Sequence, residues 1–238
     1  MHPVTPLGEL VVGLDGSAAS AAALRWSVKA VGRQGRVHAV AVADDGLDVR
    51  ELRDTWVPSA LADTTTDENG TVDTVVLEGD APDELLRCAR DVGADAVVVG
   101  HHARPRFGPR VVGHVTATLL HDADRPIIVV PTDWRPTDTV GRPVAVGVGV
   151  SAGTEAAVRW AIAQPAAHED GLLLAHAYGP RTIFRPDGWL DVLAYHLDPT
   201  VLPEWVEQDL LDLADRVGAE TGVDVDVDVA VRPGRAGA

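Results

Sequence analysis

From residue 145 onward the chain begins to repeat itself. A shift of 134 positions lays VVGLDGSAASAAALRW (11–26) on AVGVGVSAGTEAAVRW (145–160), with Arg25 and Trp26 falling on Arg159 and Trp160. Agreement of that length at one fixed offset marks an internal repeat. Whatever fold the first copy takes, the second must be able to start in the same way.

The pattern inside the first copy alternates strands with helices. LVVGL (10–14) reads as a buried strand, and Ser17 to Val31 as an Ala-rich helix with Ser17 as N-cap. The strand RVHAVAVA follows. Asp44 to Gly70 is rich in turn formers and has room for one short helix. TVDTVVLE alternates as a strand does, and Asp80 caps a helix that tolerates Pro82 in its first turn and shows Leu85, Ala89 and Val92 on one side. AVVVG is a fourth strand, a helix runs from about Gly113 to His121, and PIIVV is the fifth strand. Strands that are mostly continuously apolar and separated by helices imply an α/β domain whose parallel sheet is covered on both faces.

That domain is expected over 1–131. PTDWRPTDTVGRP (131–143) is dense in turn formers and makes 132–143 a linker, with the second copy over 144–238. In that copy LLLAHA matches the second strand, PEWVEQDLLDLADRVGAETG is a helix with a stripe at Val206, Leu210, Leu213 and Val217, and VDVDVDVAV matches the third strand. VRPGRA (231–236) then aligns with VLEGDA (76–81), so the copy lacks the last two strands and the loop between them. Its first strand is left as an apolar edge that something must cover.

Charge narrows the function. A formal net charge of −16 and a pI near 4.8 repel polyanions, which excludes binding along a nucleic-acid backbone as the default. No apolar run reaches the roughly 20 residues that span a bilayer, and MHPVTPLGEL lacks the charged and apolar regions of a leader, so a cytoplasmic protein is expected. The single cysteine, Cys88, falls in an amphipathic helical pattern and reads as a small core residue. Against this acidic background, Val97 to Leu120 contains no Asp or Glu, where average usage would place about three or four. It does contain Arg104, Arg106, Arg110, His101, His102 and His114. The local field there favours anions.

The order of elements resembles one family. VVGLDGSAASAAALRW, LEGDAPDELLRCARDVGADAVVVG and GHHARPRFGPRVVGHVTATLL before PIIVV, at these spacings, look like a universal stress protein of the tandem type with a truncated second domain. The resemblance implies a Rossmann-like, five-stranded parallel sheet in the order 3-2-1-4-5 flanked by helices. In such a sheet the order reverses between strands 1 and 4, and ligands bind at that crevice, outside the carboxyl ends. It would bring Asp15 next to Gly100. Family members that bind nucleotides carry an acid after the first strand and a phosphate loop of the form Gly, two residues, Gly, nine residues, Gly, then Ser or Thr. Here the spacing is kept as Gly100, Ala103, Gly113 and His114, with two side chains changed.

Ala103 costs roughly 1 to 2 kcal/mol if its position needs a left-handed backbone, and His114 replaces a small hydroxyl donor. Gly100 and Gly113 let a backbone approach an anion, the helix after Gly113 offers free N–H groups and a positive dipole end at His114, Val115 and Thr116, and Thr116 carries a hydroxyl. The resemblance further implies that Asp15 accepts hydrogen bonds from adenine or ribose, that Leu14 and Val42 wall the base, and that His102 stands near phosphate.

Plainer roles compete. Asp15 is also an acid at the N-terminus of the Ser17 helix, where it is favourable without any ligand. His114 and His121 lie seven residues apart, about 10 Å along a helix, too far to share an ion ligated at roughly 2 Å, so no metal site is expected. Trp26 and Trp160 occupy equivalent helical positions and suggest packing. Asp224, Asp226 and Asp228 make one solvated face of an edge strand. Position 149 of the second copy is Gly where the first has Asp15.

No nucleophile, base and orienting partner assemble from local spacing, and no catalytic residue is assigned. The expected function is a cytoplasmic stress-response protein binding an adenine nucleotide, ATP with Mg²⁺, in its first domain as a regulatory ligand, with at most slow hydrolysis. The alternative is an interaction module of the same family without nucleotide. As the resemblance implies, a homodimer would form through Ile127, Ile128, Val129 and Val130; no nucleic acid or membrane partner is expected.

Overall fold

The computed structural model describes residues 7–43, 50, 52–62, 70–101, 113–135, 141–149, 153–178 and 201–233. The chain divides into two compact units, Leu7–Asp138 and a second containing Thr139–Ala238.

In the first unit, β1 (Glu9–Leu14) lies between β2 (Arg36–Ala43) and β4 (Ala96–His101), and β3 (Thr71–Glu78) and β5 (Ile127–Pro131) form the edges. All pairings are parallel and the order is β3-β2-β1-β4-β5, the order the resemblance implies. Successive residues of a strand face opposite sides, so the apolar runs feed two cores. Leu10, Val12 and Leu14 pack with Ala22, Ala23, Leu24 and Val28 of α1 (Ala18–Val31). Val11 and Val97 pack on the other side with Leu85, Leu86 and Ala89 of α3 (Ala81–Val92), and with Leu119 of α4 (His114–Asp122). A right-handed crossover puts α1 on one face for steps toward β3 and α3 and α4 on the other for steps back toward β5. The chain reverses direction across the sheet at β1.

Local chemistry sets the helix ends. Ser17 is the N-cap of α1, its Oγ accepting from Ser20 N at 3.1 Å, and Asp80 caps α3 through Asp83 N. Gly93 ends α3 in the left-handed conformation, φ +68°, and Arg125 Nη1 donates to the carbonyls of Ala89 and Ala94, both at 2.7 Å. Cys88 is 8% exposed in α3, and burial pushes its thiol up, which keeps it protonated and inert.

Between β2 and β3 the sequence left room for one short helix. The structure has a single π-turn, Leu52–Trp56, leading directly into α2 (Val57–Leu61), with Val57 buried in the α1-side core.

The start of the expected linker belongs to the first unit. Thr132 N and Oγ1 both donate to His101 O, at 3.1 and 2.8 Å, and Trp134 packs against the α1-side core. The Trp134 indole N–H is buried without a partner among the described residues. A buried unmet donor costs about 1 to 3 kcal/mol, but Phe in place of Trp also removes the five-membered ring and its packing. The two effects oppose, so Trp134→Phe is expected to change stability by less than about 1 kcal/mol in urea denaturation; a loss of about 2 kcal/mol or more would mean that the N–H is bonded.

The second unit forms a parallel sheet β6-β7-β8 from Val144–Gly147, Leu172–Tyr178 and Val227–Pro233. α5 (Gly153–Ile162) and α7 (Val201–Thr221) cover one face, enclosing Val146, Val158, Ile162, Leu172, Leu174, Leu210 and Val217. Their alternates Ala145 and Gly147 are exposed, Leu173 and Ala175 are half-buried, and β6 is an edge. One element was not anticipated and two expectations need correction. A short helix α6 (Pro165–Asp170) follows α5, started by Pro165, whose fixed φ suits a first turn. Trp160 does not match the packing of Trp26: it is 37% exposed. β8 begins only at Val227, so Asp224 and Asp226 precede the strand, although Asp226 O already accepts from Leu172 N at 2.8 Å at its entry. No described helix is long and apolar enough to cross a membrane.

Candidate functional site

The crevice arises where two neighbouring strands part. β1 and β4 pair at Leu10–Ala96, Val11–Val97 and Val12–Val98 and no further, although the strands continue to Leu14 and His101. β1 and β2, in contrast, stay paired to Leu14–Ala41. Beyond Val12 the chain turns from β1 into α1 on one face, while β4 feeds α4 on the other. The open mouth is therefore at the carboxyl ends, where the sheet order reverses.

Asp15 stands at the lip of this mouth in a tightly bonded turn. Its Oδ1 accepts from Ser17 N at 3.0 Å, its own N–H reaches Ser20 Oγ at 3.4 Å, and Ser20 Oγ also donates to Ser17 O at 3.1 Å. Gly16 carries the turn at φ +74°, a conformation that strains any other residue. Trp56 closes it from outside, its Nε1 donating to Gly16 O at 3.0 Å. Asp15 itself is exposed. Its bond to Ser17 is the helix-starting role.

Gly100 has a packing reason that spacing alone does not reveal. A Cβ there would lie 2.3 Å from the carbonyl carbon of Ala19, 2.4 Å from its oxygen and 2.7 Å from Ser20 N. The missing side chain lets the first turn of α1 rest directly on β4. At Gly113 a Cβ would meet nothing within 4 Å, so its place there reflects exposure at the N-cap of α4. Among the described residues no side chain caps that helix, and its first internal bond is Ala117 N to Gly113 O at 2.9 Å. The N–H groups of His114, Val115 and Thr116 thus have no intrahelical carbonyl to bond. They carry the positive end of the helix dipole.

Side chains of the expected set divide. His114 is exposed and Val115 half-buried, but Thr116 is 6% exposed and lies on the buried side of α4 with Leu119. Leu14, 5% exposed, belongs to the α1-side core, whereas Val42 packs on the α3 side. These two do not form one apolar wall. Adjacent strands place the positions near each other, but opposite pleat directions separate the side chains. His102 and Ala103 lie outside the described residues, as do Arg104, Arg106 and Arg110. No group of three or more potential metal ligands occurs among the described residues. A cleft of about 410 Å³ lies elsewhere, in the second unit, where Ile162, Gly218 and Val225 line it with Asp215 and Asp224 and no basic side chain. An anion has no partner there.

Sequence reasoning missed Trp56. Its contact spans 40 residues, and no local spacing signals it.

A parallel sheet in this order, opened at its switch point, defines a doubly wound, Rossmann-like α/β domain. The sequence model of the universal stress protein family matches residues 8–131, just over half of the 238-residue chain. The chain belongs to the universal stress protein family. A universal stress protein from Archaeoglobus fulgidus DSM 4304 agrees in fold over 95% of this chain and 79% of its own, at 16% identity and a TM-score of 0.62. A universal stress protein crystallised with cAMP matches 54% of this chain and 99% of its own (22% identity, TM-score 0.44). A family protein from Arabidopsis thaliana with AMP bound matches 55% and 97% (16% identity, TM-score 0.38). No curated protein matches.

Proposed function

We propose that the first unit binds an adenine nucleotide, ATP with Mg²⁺, at the mouth between β1 and β4, as a regulatory ligand in a cytoplasmic stress-response protein. The carrying observation is the uncapped start of α4 at the carboxyl ends of the strands, beyond the point where the β1–β4 ladder stops. The amides of His114, Val115 and Thr116 would hold phosphate, with Gly113 leaving room and the loop residues His102 and Ala103 beside them; Asp15 would take the adenine or ribose donors and the backbone near Leu14 and Val42 the base edge. The fit to the group is a chemical one: free donors on one side, a carboxylate on the other, and no acidic residue from Val97 to Leu120 to repel an anion. The bound nucleotide would supply negative charge and a base to be sensed, and no residue is assigned to its hydrolysis.

On this reading residues 1–131 are a complete copy, 132–143 a connector, and 144–238 a second copy built on the first three strands alone. The second copy has Gly149 in place of Asp15 and takes a structural part. A second reading, an interaction module without nucleotide, draws on β5: it is the sheet edge, and Val129 is 37% exposed on it. Through Ile127, Ile128, Val129 and Val130 it would pair with another copy.

Calorimetric titration of the full chain with ATP and Mg²⁺, beside Asp15→Ala, separates the readings. Nucleotide binding predicts submillimolar affinity weakened at least about tenfold by the substitution, the loss of one charge-assisted hydrogen bond. No heat at millimolar nucleotide, with a dimer in sedimentation, leaves the interaction module.

A further inference from the structure

The β2–β3 connection is tied to the candidate nucleotide turn by one side chain. Trp56, between the π-turn and α2, packs against the α1-side core together with Ala60 and Leu61, and Val57 next to it is 6% exposed. From this anchored base its indole N–H donates to Gly16 O at 3.0 Å. Gly16 follows Asp15 directly and supplies the positive φ that lets Asp15 Oδ1 reach back to Ser17 N. The Asp15 turn is thus held from the helix side by Ser17 and Ser20 and from the opposite segment by Trp56.

We propose that Trp56 is a positioning residue for Asp15, so that docking of the β2–β3 connection sets the affinity of the β1–β4 crevice for adenine nucleotide. This rests on the nucleotide reading and adds its regulation. A glycine-borne turn has a wide choice of backbone conformations, and a hydrogen bond to its carbonyl selects one of them. With the bond made, Asp15 is presented preorganised. Without it, part of the binding free energy goes to ordering the turn. A net hydrogen bond corresponds to roughly a 3- to 10-fold change in affinity.

The test uses the full chain. Trp56→Phe keeps a six-membered aromatic ring against the core and removes the donor together with the five-membered ring that carries it; Trp205→Phe, at a tryptophan 56% exposed on α7, is the control. Calorimetry with ATP and Mg²⁺ is expected to show Trp56→Phe binding about 3- to 10-fold more weakly, with Trp205→Phe unchanged. In ¹H–¹⁵N spectra the Trp56 indole resonance, assigned by its loss in Trp56→Phe, is expected to move on saturation with nucleotide and, in the ligand-free protein, on Asp15→Ala. The Trp205 resonance should stay put in both. A tryptophan that only packs would leave the affinity of Trp56→Phe at the wild-type value, since its resonance could move through proximity to Asp15 alone. If the wild-type chain binds and Trp56→Phe binds equally well, or the Trp56 resonance ignores both nucleotide and Asp15→Ala, the positioning role is overturned while the nucleotide reading stands. A wild-type chain that takes up no adenine nucleotide at millimolar concentration overturns both.

Discussion

Gly100→Ala is expected to lower the unfolding free energy by about 3 kcal/mol or more, in the absence of any ligand. The added methyl would sit 2.3 Å from a backbone carbon of Ala19 and 2.4 Å from its carbonyl oxygen. Those atoms belong to the first turn of α1, which cannot swing away as a flexible side chain would. Either β4 or α1 must shift, and both are lined with fully buried residues: Ala19 1%, Ala22 0%, Val97 0% and Val98 0% exposed. Overpacking a close-packed interior costs roughly 1 to 3 kcal/mol and more when backbone has to move. Against a total stability of about 5 to 15 kcal/mol this is a large fraction. Urea denaturation of the apoprotein measures it. A loss under about 0.5 kcal/mol would mean that Gly100 is kept for an approaching ligand and not for α1, since overpacking of this kind is felt at once.

Leu119→Ala should cost about 3 kcal/mol, within the 2 to 5 kcal/mol of buried leucine truncations. Leu119 is 0% exposed, and α4 has only Thr116 and Leu119 buried. A nine-residue helix has little stability of its own, so its place on the sheet depends on packing, to which Leu119 contributes the largest buried apolar side chain beside Thr116 and the half-buried Val115. Denaturation should record the global loss, and hydrogen exchange should show α4 amides opening more readily than those of α1. Under the proposed function, nucleotide affinity falls with them, because the amides of His114 to Thr116 lose their fixed position. Unaltered exchange in α4 would show that other contacts hold it.

Much of the first unit was legible in residue order. Continuous apolar strands with capped helices between them left few arrangements other than a covered parallel sheet, and Ser17 and Asp80 marked helix starts by chemistry that acts within four residues. The short helix in Asp44 to Gly70 could not be bounded, because Leu52–Trp56 and Val57–Leu61 are held by docking against α1 more than by propensity. α6 went unseen for the same reason, being one turn and a half started by a proline. In the candidate site, Asp15 was singled out by the family resemblance, which places an acid after the first strand. The division of Leu14 and Val42 between two cores was not, because it depends on the pleat of two strands aligned by register.

What the sequence settled by itself is local: which segments extend or coil, where helices start, where acids are withheld, and where the plan restarts at Val144. These follow from propensities and hydrogen bonds that reach only a few residues. The tertiary structure decided which glycine leaves room for a helix, which threonine turns inward, and which tryptophan reaches the Asp15 turn. Each of these is a contact between atoms 30 or more residues apart, or a choice of face made by packing, and no neighbour along the chain carries that information.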